Sequence, residues 1–348
     1  MKKLRLGVVG TSGMFGGAHW PALKQMNDVE MVAFCDIVVE KARFFADQVG
    51  ATCYDNFEAM LEQADMDAVS ICTSNVFHSK YAIAALEAGK HVICEKPDAV
   101  SSVEAEKMRA AAERNGLTLM VIRNNRYRYQ AQWLKEAAKD GYFGELYTGR
   151  CGWIRRRGIP GAGGWYTTKE LSGGGPLIDL GVHMIDLAIW IMGNPKPVAV
   201  SGATYCKFAS DLSCNLFGEM QKDGIFDVED LASGYIRFDN GATLQIEFSW
   251  ASNIEQERNF VELRGTKAGF TLDRELNVFN QQYGALCNVQ PQFPAGKPGY
   301  GHEANLKHFV DVVLRGTEPD FTPTQGLHMI QILEAVYKSA QVGREILL

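Results

Sequence analysis

Short, almost wholly apolar runs alternate with helical stretches over the first third of the chain, and this alternation limits the fold more than any other feature. Residues 4–9, 31–35, 68–72, 91–94 and 117–122 are rich in Val, Ile, Leu and Cys. Strands that are apolar on both faces belong to a parallel sheet covered by helices on both sides. Residues 40–49 and 78–88 carry helical patterns between those runs, and Gly89 stops the second. The expectation is a doubly wound α/β layer over residues 1–123.

The texture changes after residue 124. Runs at 147–154, 198–205, 231–238 and 242–249 follow one another as a meander, and Asp239-Asn240-Gly241 is a tight-turn signal between the last two. Residues 261–264 and 270–272 flank a further glycine-containing turn, and helical patterns at 303–314 and 325–343 close the chain. This predicts an α+β second domain over residues 124–348, with a large, open, mostly antiparallel sheet.

The 348 residues are 46% hydrophobic and 22% charged with a net charge of −6, which excludes a disordered or fibrous chain. An acidic balance argues against a nucleic-acid partner, which would call for a basic stripe. No run approaches the roughly 18 apolar residues of a membrane helix, so no membrane partner is expected. The basic start Lys2-Lys3 is followed by an apolar run too short for a secretion signal and broken by Arg5, Gly7 and Gly10. The eight cysteines form no CxxC pair and no Cys/His cluster, so reduced thiols, a cytoplasmic location and no metal are expected.

The first predicted strand runs into Gly10-Thr11-Ser12-Gly13-Met14-Phe15-Gly16-Gly17-Ala18-His19 and then a helix. Glycines there permit a tight turn and a close backbone approach, and the amides of a helix N-terminus favour a pyrophosphate. Gly10, Ser12, Gly13, Met14 and Phe15 are the candidate contacts. The spacing G-x-x-G-x-x-G departs from the usual G-x-G-x-x-G, and a purely structural turn is the alternative. Asp36, at the end of the second strand, supports the dinucleotide reading: its carboxylate suits ribose hydroxyls and repels a 2′-phosphate. Ile37, Val38 and Val39 supply no cation to offset such a phosphate, so NAD is preferred over NADP. A solvated carboxylate at a strand end is the plainer alternative.

Two further segments carry chemistry. Glu95-Lys96-Pro97 follows a strand at the edge of the sheet where open α/β folds bind ligands. Lys96 there is a cationic donor for a substrate hydroxyl, or else a surface partner of Glu95. In Gly173-Gly174-Gly175-Pro176-Leu177-Ile178-Asp179-Leu180-Gly181-Val182-His183, helical spacing puts Asp179, His183, Asp186 and Trp190 on one stripe and Leu180, Met184, Leu187 and Ile191 on another. The second stripe reads as core. On the first, His183 is able to take a proton at neutral pH and Asp179 to orient its ring. The alternative is a capping Asp and a core His.

Together these motifs resemble the Gfo/Idh/MocA family of glucose-fructose oxidoreductase and inositol dehydrogenase relatives. The residues that carry the resemblance are the Gly10–His19 loop, Thr73-Ser74-Asn75 with His78, the run from Ala88 to Pro97, Gly173–Gly175 with Asp179 and His183, and Gly265-Thr266-Lys267 with Gly269. One extra residue in the glycine loop, with Ser12 near the usual second Gly, is the departure. The resemblance implies a Rossmann-type cofactor domain, Thr73, Asn75, His78, Glu95 and Lys96 as further cofactor contacts, and an NAD(P)-dependent dehydrogenase acting on CH–OH groups. It implies that His183 takes the hydroxyl proton as hydride leaves the same carbon, that Lys96 holds and polarises the oxygen, and that Asp179 positions both.

The expected substrate is a small polyhydroxylated molecule: a cyclitol, sugar or glycoside of inositol or glucoside type. The resemblance brings Arg126 and Tyr127 near the substrate. Trp153, Arg156 and Trp165 sit in an aromatic and basic segment before the triple glycine, where ring faces and donors suit a sugar. In an extended segment Arg155 and Arg157 share one face and Arg156 the other, so no more than two serve one site. Two other readings fit the same fold: a glycosidase that uses bound NAD transiently without net redox change, and a non-catalytic sensor of sugar or NAD. Retention of Lys96, Asp179 and His183 weighs against the sensor. The resemblance also implies a homodimer or homotetramer formed through the open sheet of the second domain.

Overall fold

The computed structural model describes residues 2–218, 220–221, 223–293 and 301–348. Packing divides the chain into two units, Met1–Tyr127 with Pro298–Leu327, and Arg128–Lys297 with His328–Leu348.

In the first unit β1 (Leu4–Val9), β2 (Val29–Cys35), β3 (Thr52–Tyr54), β4 (Ala68–Ile71), β5 (His91–Cys94) and β6 (Leu119–Val121) form a parallel sheet in the order β3-β2-β1-β4-β5-β6. All four residues of β4 are buried, as a strand covered on both faces requires. β3 escapes the sequence reading because it is three residues long and pairs only with β2 at the sheet edge. The order reverses between β1 and β4, so the loops that leave these two strands border the crevice where such sheets bind ligands. The helix His302–Arg315 packs against β1 and β5 through Leu306, Phe309 and Val310. Residues 301–327 pack with the first unit.

The second unit holds β7 (Leu146–Ile154), β8 (Ile159–Pro160), β9 (Pro197–Tyr205), β10 (Asn215–Phe217), β11 (Leu231–Phe238), β12 (Thr243–Ser249), β13 (Arg258–Gly265), β14 (Ala268–Leu272), β15 (Leu276–Gln282), β16 (Ala285–Val289) and β17 (Ile346–Leu347). Nine of them form one sheet, β16-β15-β14-β13-β7-β12-β11-β9-β17, antiparallel except for the β7–β12 pair; β8 and β10 form a separate parallel pair. Along β12, Leu244, Ile246 and Phe248 are buried while Gln245 and Glu247 are exposed, the alternation of a sheet with one covered face. The covering helix Val182–Ile191 lies against β7 and β13, and the helix Tyr129–Lys139 packs on it. Among the described residues the stretch Lys169–Ile191 is long and apolar enough to cross a membrane, but 83% of its apolar window is buried inside the protein. It is a core helix.

Candidate functional site

The first cluster lies in the first unit, at the ends of β1, β2, β4 and β5. Gly10 has φ +81°, and a Cβ on it would stand 2.7 Å from the backbone carbon and oxygen of Cys72. Only glycine lets the loop after β1 rest on the end of β4. Ser12, Gly13 and Met14 are exposed, and open space surrounds the Cβ position of Gly13. Phe15 is fully buried with its ring against Phe34 and Phe45, so its side chain is core. Asp36 is held from three sides: Oδ2 accepts from the amide and the hydroxyl of Thr11, each at 2.8 Å, and Oδ1 from the amide of Val38 at 3.0 Å. A loop with its first glycine in close contact and a fixed carboxylate at the next strand end fits a dinucleotide.

At the end of β4, Thr73 is half-buried and Asn75 is buried. His78 is fully buried, with Nδ1 at 2.7 Å from the Pro97 carbonyl and Nε2 at 3.0 Å from the Thr73 carbonyl. It braces the loops after β4 and β5. Burial pushes its pKa down, against the two carbonyl acceptors.

Glu95 is buried and carries a charge partner absent from the sequence reading. Its Oε1 lies 2.7 Å from His19 Nε2, and Oε2 accepts the backbone N–H of Lys96 at 3.1 Å. Burial disfavours charge on both, but the neighbouring Cys72 thiol and Glu95 raise His19 to about 10. His19 in turn, with weaker contributions from His302 and Lys96, brings Glu95 down to about 2. Lys96, half-buried, thus follows directly on a buried ion pair.

Arg126 and Tyr127 also belong to this unit. Arg126 is 1% exposed, and its guanidinium donates to the Asp320 carbonyl and, at 3.0 Å, to Gln325 Oε1. Asn305 Nδ2 approaches the Tyr127 hydroxyl at 3.4 Å. These contacts fasten the start of the Asn124–Tyr127 turn to the returning segment 302–327.

The second cluster lies in the second unit around the triple glycine. Between Leu177 and Ile191 only Asp179, His183 and Ile189 escape burial; Asp186 and Trp190 of the predicted polar stripe are core. Asp179 sits in a single wide turn, Leu177–Gly181, that opens the helix. Such turns recur at functional sites. Trp250, at the end of β12 and fully buried, donates its indole N–H to Asp179 Oδ2 at 3.0 Å. The Trp153 ring is 6.1 Å from that of His183; its indole N–H donates to Glu257 at 2.9 Å, and the Arg155 guanidinium stacks on it. This gives the imidazole an aromatic wall.

The three arginines are tied to backbone carbonyls. Arg155 donates to Gly158, Arg156 to Glu255, and Arg157 to Arg156 and Ser252. Arg156 is exposed. Trp165 and Tyr166 stack on each other at 3.8 Å.

Glu229, Tyr337 and Trp250 are the residues the sequence reading missed. Glu229 accepts from the amides of Gly175 and Leu177 and from the Tyr337 hydroxyl. The glycines make room: a Cβ on Gly174 would stand 2.0 Å from the Tyr337 hydroxyl, and one on Gly175 2.0 Å from the Glu229 carbonyl oxygen. No local spacing announces a partner more than fifty residues away. The triple glycine was the only available signal that something approaches closely.

Comparison with known proteins bears on both clusters. Residues 4–123 match the model of an oxidoreductase family with an NAD-binding Rossmann fold, GFO_IDH_MocA, and residues 131–271 match the GFO/IDH/MocA C-terminal domain. The chain is 35% identical to D-glucoside 3-dehydrogenase of Escherichia coli K12 over 99% of its own length and 97% of that protein's. The crystal structure of GenD2 from gentamicin A biosynthesis, in complex with NAD, superposes with a TM-score of 0.79 at 27% identity, over all of this chain and 97% of that one. An oxidoreductase domain protein from Kribbella flavida superposes at 0.87 with 24% identity over 100% and 99% of the two chains, which is a likeness of fold.

Proposed function

Because the chain belongs to the Gfo/Idh/MocA family of NAD-binding oxidoreductases, we propose that it oxidises a secondary hydroxyl of a sugar, cyclitol or glycoside, with a glucoside the first candidate. The enzyme is an NAD-dependent dehydrogenase. The observation that carries the substrate-side reading is the helix from Leu177 to Ile191: a carboxylate and an imidazole one turn apart are the polar side chains that escape burial on it. The name of the E. coli relative supports a glucoside and its 3-hydroxyl.

Gly10, Ser12, Gly13 and Met14 would hold the pyrophosphate and Asp36 the adenosine ribose; Thr73, Asn75, Glu95 and Lys96 would line the rest of the cofactor site. Phe15 and His78 would serve it by shaping the loops, since their side chains are buried. NAD, when bound, supplies a hydride acceptor. His183 takes the proton of the substrate hydroxyl at its ring nitrogen, and Asp179 stabilises the charged imidazole that results. Lys96 would donate to the same oxygen, where negative charge develops as the hydroxyl proton leaves, so a fixed cation favours the transition state over the bound alcohol. Trp153 offers its face to the sugar ring; Trp165 and Arg156 complete the set of proposed substrate contacts.

The assembly we propose is a homodimer or homotetramer through the outer face of the nine-stranded sheet. A shallow trough lined by Ser201, Ala203, Ser233, Tyr235, Gln245 and Glu247 runs across it. A single-chain mass by light scattering would remove this part. A reducing cytoplasmic setting is proposed on the eight unpaired cysteines.

The test is NADH absorbance on mixing the enzyme with NAD and a panel of glucosides, free sugars and inositols. Signal with a glucoside supports the reading, and loss of that signal in His183→Ala supports the base. Silence across the panel, with cofactor released only on denaturation, would replace the dehydrogenase by the redox-neutral glycosidase.

A further inference from the structure

The indole of Trp250 points to a role in the reaction that no sequence motif marks. We propose that Trp250 is a positioning residue, which fixes the Asp179 carboxylate through its indole N–H; this rests on the reading of Asp179 as part of the hydride-transfer site. The bond is 3.0 Å long, from a fully buried ring to a half-buried carboxylate. A buried indole N–H needs an acceptor, and one donated to a carboxylate is charge-assisted. Indole is donor-only and does not titrate, so it presents the same donor across the whole working range of pH. It is also rigid, whereas a hydroxyl donor would rotate.

Two further observations show that this contact is built. Gly181 lies over β12 with its Cβ position 3.3 Å from the Phe248 ring, so the turn carrying Asp179 sits close on the strand that leads into Trp250. The backbone N–H of Trp250 donates to the Asp230 carbonyl at 3.0 Å, while the preceding residue, Glu229, binds the amides of Gly175 and Leu177. One dipeptide, Glu229-Asp230, thus anchors both the turn that bears the carboxylate and the residue that holds it.

The test is a double-mutant cycle on kcat with Trp250→Phe and Asp179→Ala, in the full-length enzyme with NAD and the best substrate of the panel. Trp250→Phe keeps an aromatic ring and removes the N–H. Its kcat is expected to fall about tenfold or more, as misorientation of a reacting group does, with KM for the sugar and the Kd of NAD, read by fluorescence titration, unchanged. In the Asp179→Ala background, which has no acceptor left to hold, the same change is expected to cost little further. A wild-type kcat in Trp250→Phe, a loss shared between kcat and KM, or an equal loss in both backgrounds overturns the proposal. Should Trp250→Phe fail to fold, Gly181→Ala, which crowds the Phe248 ring beneath the turn, takes its place in the same cycle with the same expectation. Full turnover by Asp179→Ala alone would instead overturn the site reading, and the positioning role with it.

Discussion

The carboxylate oxygen Oε2 of Glu229 lies 3.0 Å from the amide nitrogen of Gly175, and through that bond the segment just before β11 grips the start of the helix that carries Asp179 and His183. Oε1 accepts from the Leu177 amide at 3.1 Å and the Tyr337 hydroxyl at 2.9 Å. A negative group at a helix N-terminus meets both the unpaired amides and the positive end of the dipole. Burial pushes the pKa of Glu229 up, against those donors, and raises that of Tyr337 with help from the carboxylate beside it.

Replacing Glu229 by Gln leaves shape but turns one acceptor into a donor facing a backbone N–H or the Tyr337 hydroxyl. The expected loss is about 1–3 kcal/mol, the cost of a buried donor left without a partner. Urea unfolding of Glu229→Gln against the parent reads it, and an unchanged midpoint would show that the cap adds no stability.

How much of this was legible depends on the range over which each feature acts. The parallel sheet, the glycine loop, Asp36 and the Asp179–His183 pair are set by spacing within a dozen or so residues, and the sequence displays that spacing directly. The edge strands β3 and β17 are too short to show a pattern and exist because a neighbour offers a ladder. Glu229, Trp250 and the His19 partner of Glu95 are tertiary contacts, visible only once strands are placed side by side. Arg126 illustrates the converse: an arginine at a suggestive position spends its guanidinium on Asp320 and Gln325.

Gly10 is constrained twice, by φ +81° and by the Cys72 backbone 2.7 Å from its Cβ position. Gly10→Ala is expected to shift the loop, costing about 1–3 kcal/mol in backbone strain alone and weakening NAD binding by at least about tenfold, since the amides proposed to hold the pyrophosphate move with it. Calorimetry of unfolding and an NAD titration monitored by tryptophan fluorescence report the two effects. Parent-like values in both would mean that the close approach is unimportant.

Asp36 is the residue proposed to select NAD, with its oxygens oriented by Thr11 and Val38. Asp36→Ala removes the ribose acceptor and the repulsion of a 2′-phosphate together. kcat/KM for NAD is expected to fall by about ten- to a hundredfold while that for NADP holds or rises, so their ratio narrows by a larger factor. Steady-state kinetics with both cofactors decide, and a ratio equal to the parent's would move the choice elsewhere.

The His19–Glu95 pair makes a prediction about pH. Burial opposes both charges, yet His19 is raised from 6.5 to about 10 and Glu95 lowered from 4.5 to about 2, each chiefly through groups within 3.4 Å. Glu95, with its native value depressed, contributes stability that is present above 4.5 and lost as pH falls through about 2. His19, with its native value raised, contributes stability fully present below 6.5 and lost as pH rises through about 10. The pair therefore stabilises most between 4.5 and 6.5. His19→Gln strands a buried carboxylate at a cost of about 3–5 kcal/mol near pH 5.5. The gap between parent and variant should narrow steadily as pH is raised towards 10, because the parent's imidazole loses its charge there and the variant has none to lose. Urea midpoints at three pH values measure that gap; one that stays constant to pH 10 would mean that the His19 imidazole is not charged in the native protein.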